Sequence, residues 1–379
     1  MKRLATIFLA GMAASGALHA QTVTRDGDMN QVTSDMTPLE LNIGGRVMAG
    51  AFTKTTSQGE IDGAAYIHQW PGVYFAAAFS GSDVVLRFND DYNHYGLLVD
   101  GKPVARIDKP GAAEYRVSSL SDGPHMVRLE KGSESQSDTG EFDGFFIPAT
   151  ETALLAPHPT RQIEFIGDSY TVGYGNTSTS RQCTPEQLRA TTDTQQAFGP
   201  LVAKHFNADY QINAISGRGI VRDYDGFIAD PLPAVYPFTL FDGGQVYGAY
   251  DWQPQIIVIS LGGNDFSTPV HAGDKWKSLE ALRADYIDTY VTFVKRLYET
   301  APGAEFVLMS YGEDEVSNDI AVVTSRLKAD GIDHLGFFNA PLDYAKTGCD
   351  WHLNTDDDKK IADALVTWID QQPDIWNGQ

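Results

Sequence analysis

From about Leu39 to Pro148 the apolar residues fall in short runs separated by turn residues. Val73–Phe79 (VYFAAAF) and Asp83–Asn89 (DVVLRFN) flank a Ser-Gly-Ser break. Tyr95–Ile107 is interrupted at its centre by Asp100-Gly101, a pair suited to two-residue hairpin turns because both positions tolerate positive φ. DGPHMVRLEK and GEFDGFFIP continue the series, and no apolar residues recur at helical spacing. Many short strands with frequent turns predict an all-β sandwich of jelly-roll type over 38–150. Ahead of it, 21–37 is polar and aperiodic and reads as a flexible lead-in; 151–161, with two prolines, reads as an interdomain linker.

The pattern changes at Gln162. Continuous apolar runs, Gln162–Gly167, Tyr210–Ser216, Gln255–Gly262, Glu305–Ser310 and His334–Asn339, now alternate with helix-like segments. Leu279, Leu282, Tyr286, Tyr290, Phe293 and Leu297 recur at helical spacing. A last helix is expected to start at Thr355 with Asp358 as its capping-box partner, burying Ile361, Leu365, Trp368 and Ile369. Apolar strands alternating with helices predict a parallel sheet covered on both faces, an α/β/α domain over 162–379. In such folds ligands gather at the carboxyl ends of the strands.

Composition narrows the partners. The formal net charge of −22 repels phosphate backbones and anionic lipid heads, so neither nucleic acid nor a membrane surface is expected. A neutral polysaccharide is compatible with it. Residues 1–20 read as a secretory signal peptide: Lys2 and Arg3 precede a short apolar stretch from Leu4 to Leu18, and Ala20 is small. Export to the periplasm or the extracellular space is therefore expected. The stretch is shorter than the ~20 residues a spanning helix needs.

Three motifs sit at strand ends. Gly167-Asp168-Ser169-Tyr170 follows the first strand of the second domain and offers an exposed hydroxyl beside free backbone N–H groups. Gly262-Gly263-Asn264-Asp265 places a side-chain amide after a later strand, although the same residues make an ordinary turn. Gly348-Cys349-Asp350-Trp351-His352 precedes the final helix, where His352 is a candidate general base for Ser169. Ser216-Gly217-Arg218-Gly219 ends another strand, and a glycine there lets a backbone N–H approach a reacting oxygen. No His/Cys cluster has metal-ligand spacing. The triplet Asp356-Asp357-Asp358 reads as helix-capping acid rather than as a cation site.

Ser, Gly, Asn and His in this chain order, each at a strand end, resemble the block pattern of the SGNH/GDSL hydrolases. IGDSYTVGYGN, ISGRGIVRDY, SLGGNDF and GCDWHLN look most like carbohydrate esterase family 2, of acetyl xylan esterase type, as does a β domain preceding the hydrolase domain. The resemblance implies hydrolysis of acetyl esters on polysaccharides such as xylan or glucomannan, without metal or cofactor. It implies Ser169 as nucleophile, His352 as base, and the N–H groups of Ser169 and Gly217 with the Asn264 amide as oxyanion donors. The acid of the wider pattern stands three residues before the histidine, where this chain has Cys349. Either Asp350 or a backbone carbonyl is left to orient His352.

Two other readings use the same residues: a GDSL-type lipolytic esterase or thioesterase, and a carbohydrate-binding protein with a relict hydrolase domain. The polar GYGNTSTSRQ after Ser169 favours a short acyl group over a long one. Tyr311 and Trp351 are candidate sugar-contacting aromatics, with core packing or loop anchoring as the alternatives; Trp70 and Tyr74 are assigned to packing. Cys183 and Cys349, the two cysteines, are expected to pair in an oxidising compartment, because the approach of Ser169 and His352 brings their loops to one sheet edge. Two unrelated buried thiols are the alternative.

Overall fold

A computed structural model describes residues 21–56, 59–248, 252–312, 314–341, 343–372 and 375–376. The signal-type segment, 1–20, lies outside the described residues.

Among the described residues, the N-terminal region forms two antiparallel sheets of seven and six strands. Phe75 and Phe79 from one sheet and Phe88 and Phe142 from the other meet in a fully buried core, with the Phe75 and Phe142 rings 4.7 Å apart. Each such ring contributes roughly 1.5–3 kcal/mol on burial. His94–Val99 and Lys102–Asp108 form the expected hairpin, and Asp100 (φ 51°) and Gly101 (φ 73°) both take the left-handed conformation its turn requires. The Ser-Gly-Ser break works differently. Tyr74–Ser80 belongs to the six-stranded sheet and Val84–Asp90 to the seven-stranded one, so this turn carries the chain between layers.

Two segments depart from the sequence reading. Residues 21–37 are not a free lead-in: Thr22–Asp26 pairs with Gly111–Ser118, and Met36–Pro38 pairs with the end of Gly140–Pro148. Within 151–161, Thr152–Leu154 adds an edge strand beside Tyr74–Ser80. These short edge strands are held by backbone hydrogen bonds and bury few side chains, so they carry no apolar alternation to read.

The second region is a five-stranded parallel sheet in the order Ala208–Ala214, Arg161–Gly167, Ile256–Ser260, Glu305–Ser310, Leu335–Asn339. Alternate residues serve opposite faces. Ile257, Ile259, Phe306 and Leu308 pack under the helices Leu279–Thr300 and Glu315–Ala329. Ile163, Phe165, Val258 and Val307 pack under Phe198–His205 and Thr355–Asp370. The last helix is capped one residue earlier than expected, by Asn354 with Asp357. Asp358 is buried and instead accepts hydrogen bonds from Asn176 Nδ2 (3.0 Å) and the Phe198 N–H (3.3 Å). The strand order switches direction between Arg161–Gly167 and Ile256–Ser260, the place where such sheets open a crevice.

The two regions are fastened by buried side chains. Trp70 is fully buried in the core of the α/β region and donates to the Phe238 carbonyl at 3.3 Å. Tyr74 donates to the Asp209 carboxylate. Arg46 lies over the Tyr236 ring at 4.3 Å and pairs with Glu164 at 3.5 Å. Among the described residues, no helix is long and apolar enough to cross a membrane.

Candidate active site

Ser169 begins the short helix Ser169–Val172 immediately beyond the strand Arg161–Gly167. Asp168 caps that helix by accepting the Tyr170 N–H at 3.1 Å. Burial pushes the Asp168 carboxyl up to about 7, assisted by the negative charges of Asp265 and Glu134.

His352 reaches the same point from the other end of the domain, its Nε2 2.9 Å from Ser169 Oγ. Its Nδ1 is 3.0 Å from the carbonyl of Cys349. A carbonyl only accepts, so Nδ1 carries the proton and Nε2 is left to accept from the serine hydroxyl. Asp350 does not take this role: its carboxylate accepts from the Tyr174 hydroxyl at 3.1 Å. The Tyr174 ring lies against His352 at 4.3 Å. Burial lowers the His352 pKa below its ordinary value, outweighing the carbonyls of Cys349 and Asp350, which favour the charged form.

The loop before His352 is irregular. Asp350 (φ 51°) and Trp351 (φ 60°) are consecutive left-handed residues, a conformation costing roughly 1–2 kcal/mol per non-glycine residue. Contacts from the segment after Ser169 hold it. Cys349 is joined to Cys183 by a disulfide, with Cα atoms 5.6 Å apart. The Gly175 carbonyl accepts from Cys349 N–H (3.3 Å), and the Arg181 carbonyl from Asp350 N–H (2.7 Å). A Cβ on Gly175 would stand 2.4 Å from that of Cys349, so glycine is required for the two loops to close.

Gly217 follows the strand Ala208–Ala214 with φ +83°, and among the described residues its N–H donates to no backbone carbonyl. Asn264 is buried, and its Nδ2 donates to the Arg218 carbonyl at 2.9 Å and to Asp168 at 3.2 Å. Asp265 shapes this loop by accepting the N–H groups of Ile220, Val221 and Arg222 at 2.8–3.1 Å.

Ser169, Asn264 and His352 line one cavity of about 330 Å³. Tyr311 forms part of its wall, accepting a hydrogen bond from Ser260 Oγ at 2.7 Å and meeting the Tyr170 ring edge-on at 5.0 Å. Trp351 stands at its edge, 58 % exposed, and Tyr224 is also largely exposed there. A larger cavity of about 610 Å³ lies at the amino ends of the strands beside the Arg46–Glu164 pair, and neither Ser169 nor His352 lines it. Sequence reasoning missed Tyr174 and Tyr224. Tyr174 had a signal, an aromatic five residues past the serine in a glycine-rich turn; Tyr224 had none beyond its nearness to Gly217. Among the described residues, no group of three or more His, Cys, Asp or Glu is arranged to hold a metal ion.

The two regions match two known families. Residues 59–157 match the family described as Carbohydrate esterase 2 N-terminal, and 165–355 match the GDSL-like Lipase/Acylhydrolase family. The chain is 45% identical to an acetylxylan esterase / glucomannan deacetylase of Cellvibrio japonicus, over 97% of this chain and 98% of that one. It belongs to carbohydrate esterase family 2. This esterase superposes on a solved carbohydrate esterase, whose active site is described as displaying divergent catalytic and non-catalytic binding functions, with a TM-score of 0.82. That pair is 44% identical, covering 90% of this esterase and all of the other chain. A family two carbohydrate esterase from Clostridium thermocellum, solved with cellohexaose, has the same fold at 24% identity and a TM-score of 0.73, covering 89% of this esterase and 100% of that chain.

Proposed function

We propose that this esterase removes O-acetyl groups from polysaccharides or oligosaccharides of xylan or glucomannan type through an acyl-enzyme on Ser169. The observation that carries the reading is the 2.9 Å contact between Ser169 Oγ and a His352 ring whose other nitrogen is committed to a carbonyl. His352 Nε2 takes the hydroxyl proton as Oγ bonds to the acetyl carbon. The N–H groups of Ser169 and Gly217, and the Asn264 amide once it exchanges its 3.2 Å contact with Asp168, receive the negative charge on the carbonyl oxygen. The tetrahedral species collapses by breaking the bond to the sugar oxygen, which leaves with the proton from His352. Water then attacks the acetyl-serine, gives its proton to the same nitrogen, and acetate departs as Oγ is reprotonated.

In this dyad the Cys349 carbonyl, rather than a carboxylate, orients the base. Tyr311 and Trp351 flank the cavity as sugar-contacting aromatics, and its volume of about 330 Å³ suits a short acyl group. The name of the 45%-identical relative supports the substrate class. Export is supported by the basic-apolar N-terminus and by a disulfide suited to an oxidising compartment. We divide the mature chain into a sandwich domain to about residue 150 and a hydrolase domain from about 162, a division supported by the two family matches.

Acetate release from acetylated xylan, acetylated glucomannan and simple sugar acetates tests this, run beside p-nitrophenyl esters of rising chain length. The expected result is turnover of the polysaccharides and a steep fall in kcat/KM from acetate to octanoate. Equal rates on acetate and octanoate would move the assignment to a lipolytic esterase.

A further inference from the structure

The oxyanion amide of Gly217 is gripped from the other domain. The segment after the strand Pro124–Lys131 is anchored by a buried polar network. Lys131 Nζ donates to the Gln69 carbonyl and to Ser135 Oγ, each at 2.8 Å. Ser133 Oγ donates to Asn93 at 2.8 Å, and Gln69 Nε2 donates to the Gln136 carbonyl at 3.1 Å. From this rigid base two side chains cross to the α/β region. Glu134 Oε1 accepts the Ser216 N–H at 2.8 Å. Gln136 Nε2 donates to the Ser216 carbonyl at 3.1 Å and to Glu134 Oε1 at 3.1 Å.

The geometry of the peptide unit makes this grip directional. The Ser216 carbonyl and the Gly217 N–H belong to one planar amide, and no cis peptide is present among the described residues, so the two groups point in opposite directions. Holding the carbonyl therefore aims the N–H. Glycine at 217, with φ +83°, has the widest backbone freedom of any residue and no side chain to limit it. The peptides on either side are held by Tyr224 N–H to the Gly217 carbonyl (2.8 Å) and Arg218 N–H to the Ile215 carbonyl (3.2 Å), and the side chain on the Ser216 carbonyl itself is Gln136.

We propose that Gln136, seconded by Glu134, is a positioning residue for the Gly217 N–H, so that the β-sandwich completes the oxyanion site of the neighbouring domain. The inference rests on the reading of Ser169 and Gly217 given above. It makes the N-terminal region part of the catalytic apparatus, separate from any part it plays in walling the cleft.

The test compares Gln136→Leu, Glu134→Leu and Glu134→Gln with wild type and Ser169→Ala in the full chain. The substrate is p-nitrophenyl acetate, and a trifluoromethyl ketone serves as a tetrahedral oxyanion mimic. Removing an oxyanion donor outright costs about 10²–10³-fold; misaiming one is expected to cost about tenfold. Gln136→Leu and Glu134→Leu should lower kcat by about that factor and weaken the ketone in parallel, with KM within about twofold, because the interaction strengthens only in the transition state. Glu134→Gln keeps an oxygen for the Ser216 N–H and should stay within about threefold of wild type. Gln136 is exposed, so its melting temperature should be unchanged. Wild-type kcat and ketone affinity in Gln136→Leu, or a loss confined to KM, would overturn the inference while an inactive Ser169→Ala leaves the site reading standing. Turnover by Ser169→Ala would bring both down.

Discussion

The turn that carries Ser169 is made by its neighbours in sequence: a buried strand ends, Asp168 caps the helix that follows, and the hydroxyl is delivered at the switch point of the sheet. The loop that carries His352 is made by residues far away. It passes through two left-handed residues and is held by a disulfide to Cys183, by the carbonyls of Gly175 and Arg181, and by Tyr174 against its ring. Ser169 Oγ and His352 Nε2 meet at 2.9 Å, one arriving on local structure and the other on tertiary restraint. With Ser169 as the proposed nucleophile and His352 as the proposed base, the first is expected to tolerate changes elsewhere in the chain, whereas the second depends on every tie that bends its loop.

The largest effect comes from removing the locally encoded partner. Ser169→Ala is expected to lower kcat by at least ~10⁴-fold with the fold intact; acetate release and circular dichroism on the purified variant check both halves. The strand end opposite gives the next effect. Asn264→Ala should lower kcat by about 10²–10³-fold with a smaller change in KM, and a change in KM alone would mean that the amide holds substrate instead.

Cutting the tie on the His352 loop separates the two regions. Cys183→Ser removes the bridge across 166 residues and should cost about 2–5 kcal/mol of stability. It should also lower kcat about tenfold, because small displacements of the base from the serine hydroxyl are expensive. Chemical denaturation paired with steady-state kinetics reads this out, and wild-type kcat in a destabilised variant would show that the loop keeps its shape without the bridge.

The smallest effects concern the base. Asp350→Asn should change kcat by no more than about threefold, because the carboxylate bonds Tyr174 and the Cys349 carbonyl holds Nδ1. A loss approaching the ~10⁴-fold typical of a triad aspartate would restore Asp350 to the catalytic set. The pH profile gives a finer scale. His352 must be neutral to accept the proton, so activity is present above its pKa and lost below it. Burial sets that pKa under the ordinary 6.5, which places the acid limb of kcat/KM below 6.5. Asp350→Asn removes a negative charge that favours the protonated ring and should move the limb further down.

The alternation of strands and helices in the second region, most of the strands between Tyr74 and Pro148, the strand ends followed by Ser169, Gly217 and Asn264, and the loop with His352 ahead of the last helix were legible in the chain. Apolar periodicity and turn chemistry are short-range signals, and they write the Asp100-Gly101 hairpin and the helix Leu279–Thr300 directly. Only the tertiary structure decided the rest. The edge strands Thr22–Asp26 and Thr152–Leu154 bury too little to leave a pattern. Trp70 and Tyr74 were readable as packing residues, but not as residues packed in the other domain. The acceptor for His352 Nδ1 depends on backbone rotation at Asp350 and Trp351, which the disulfide and the facing carbonyls impose. Glu134 and Gln136 lie 80 or more residues from Ser216, with no spacing to connect them. A side chain's type fixes which hydrogen bonds it is able to make; which partner it meets is settled where the chain folds back on itself.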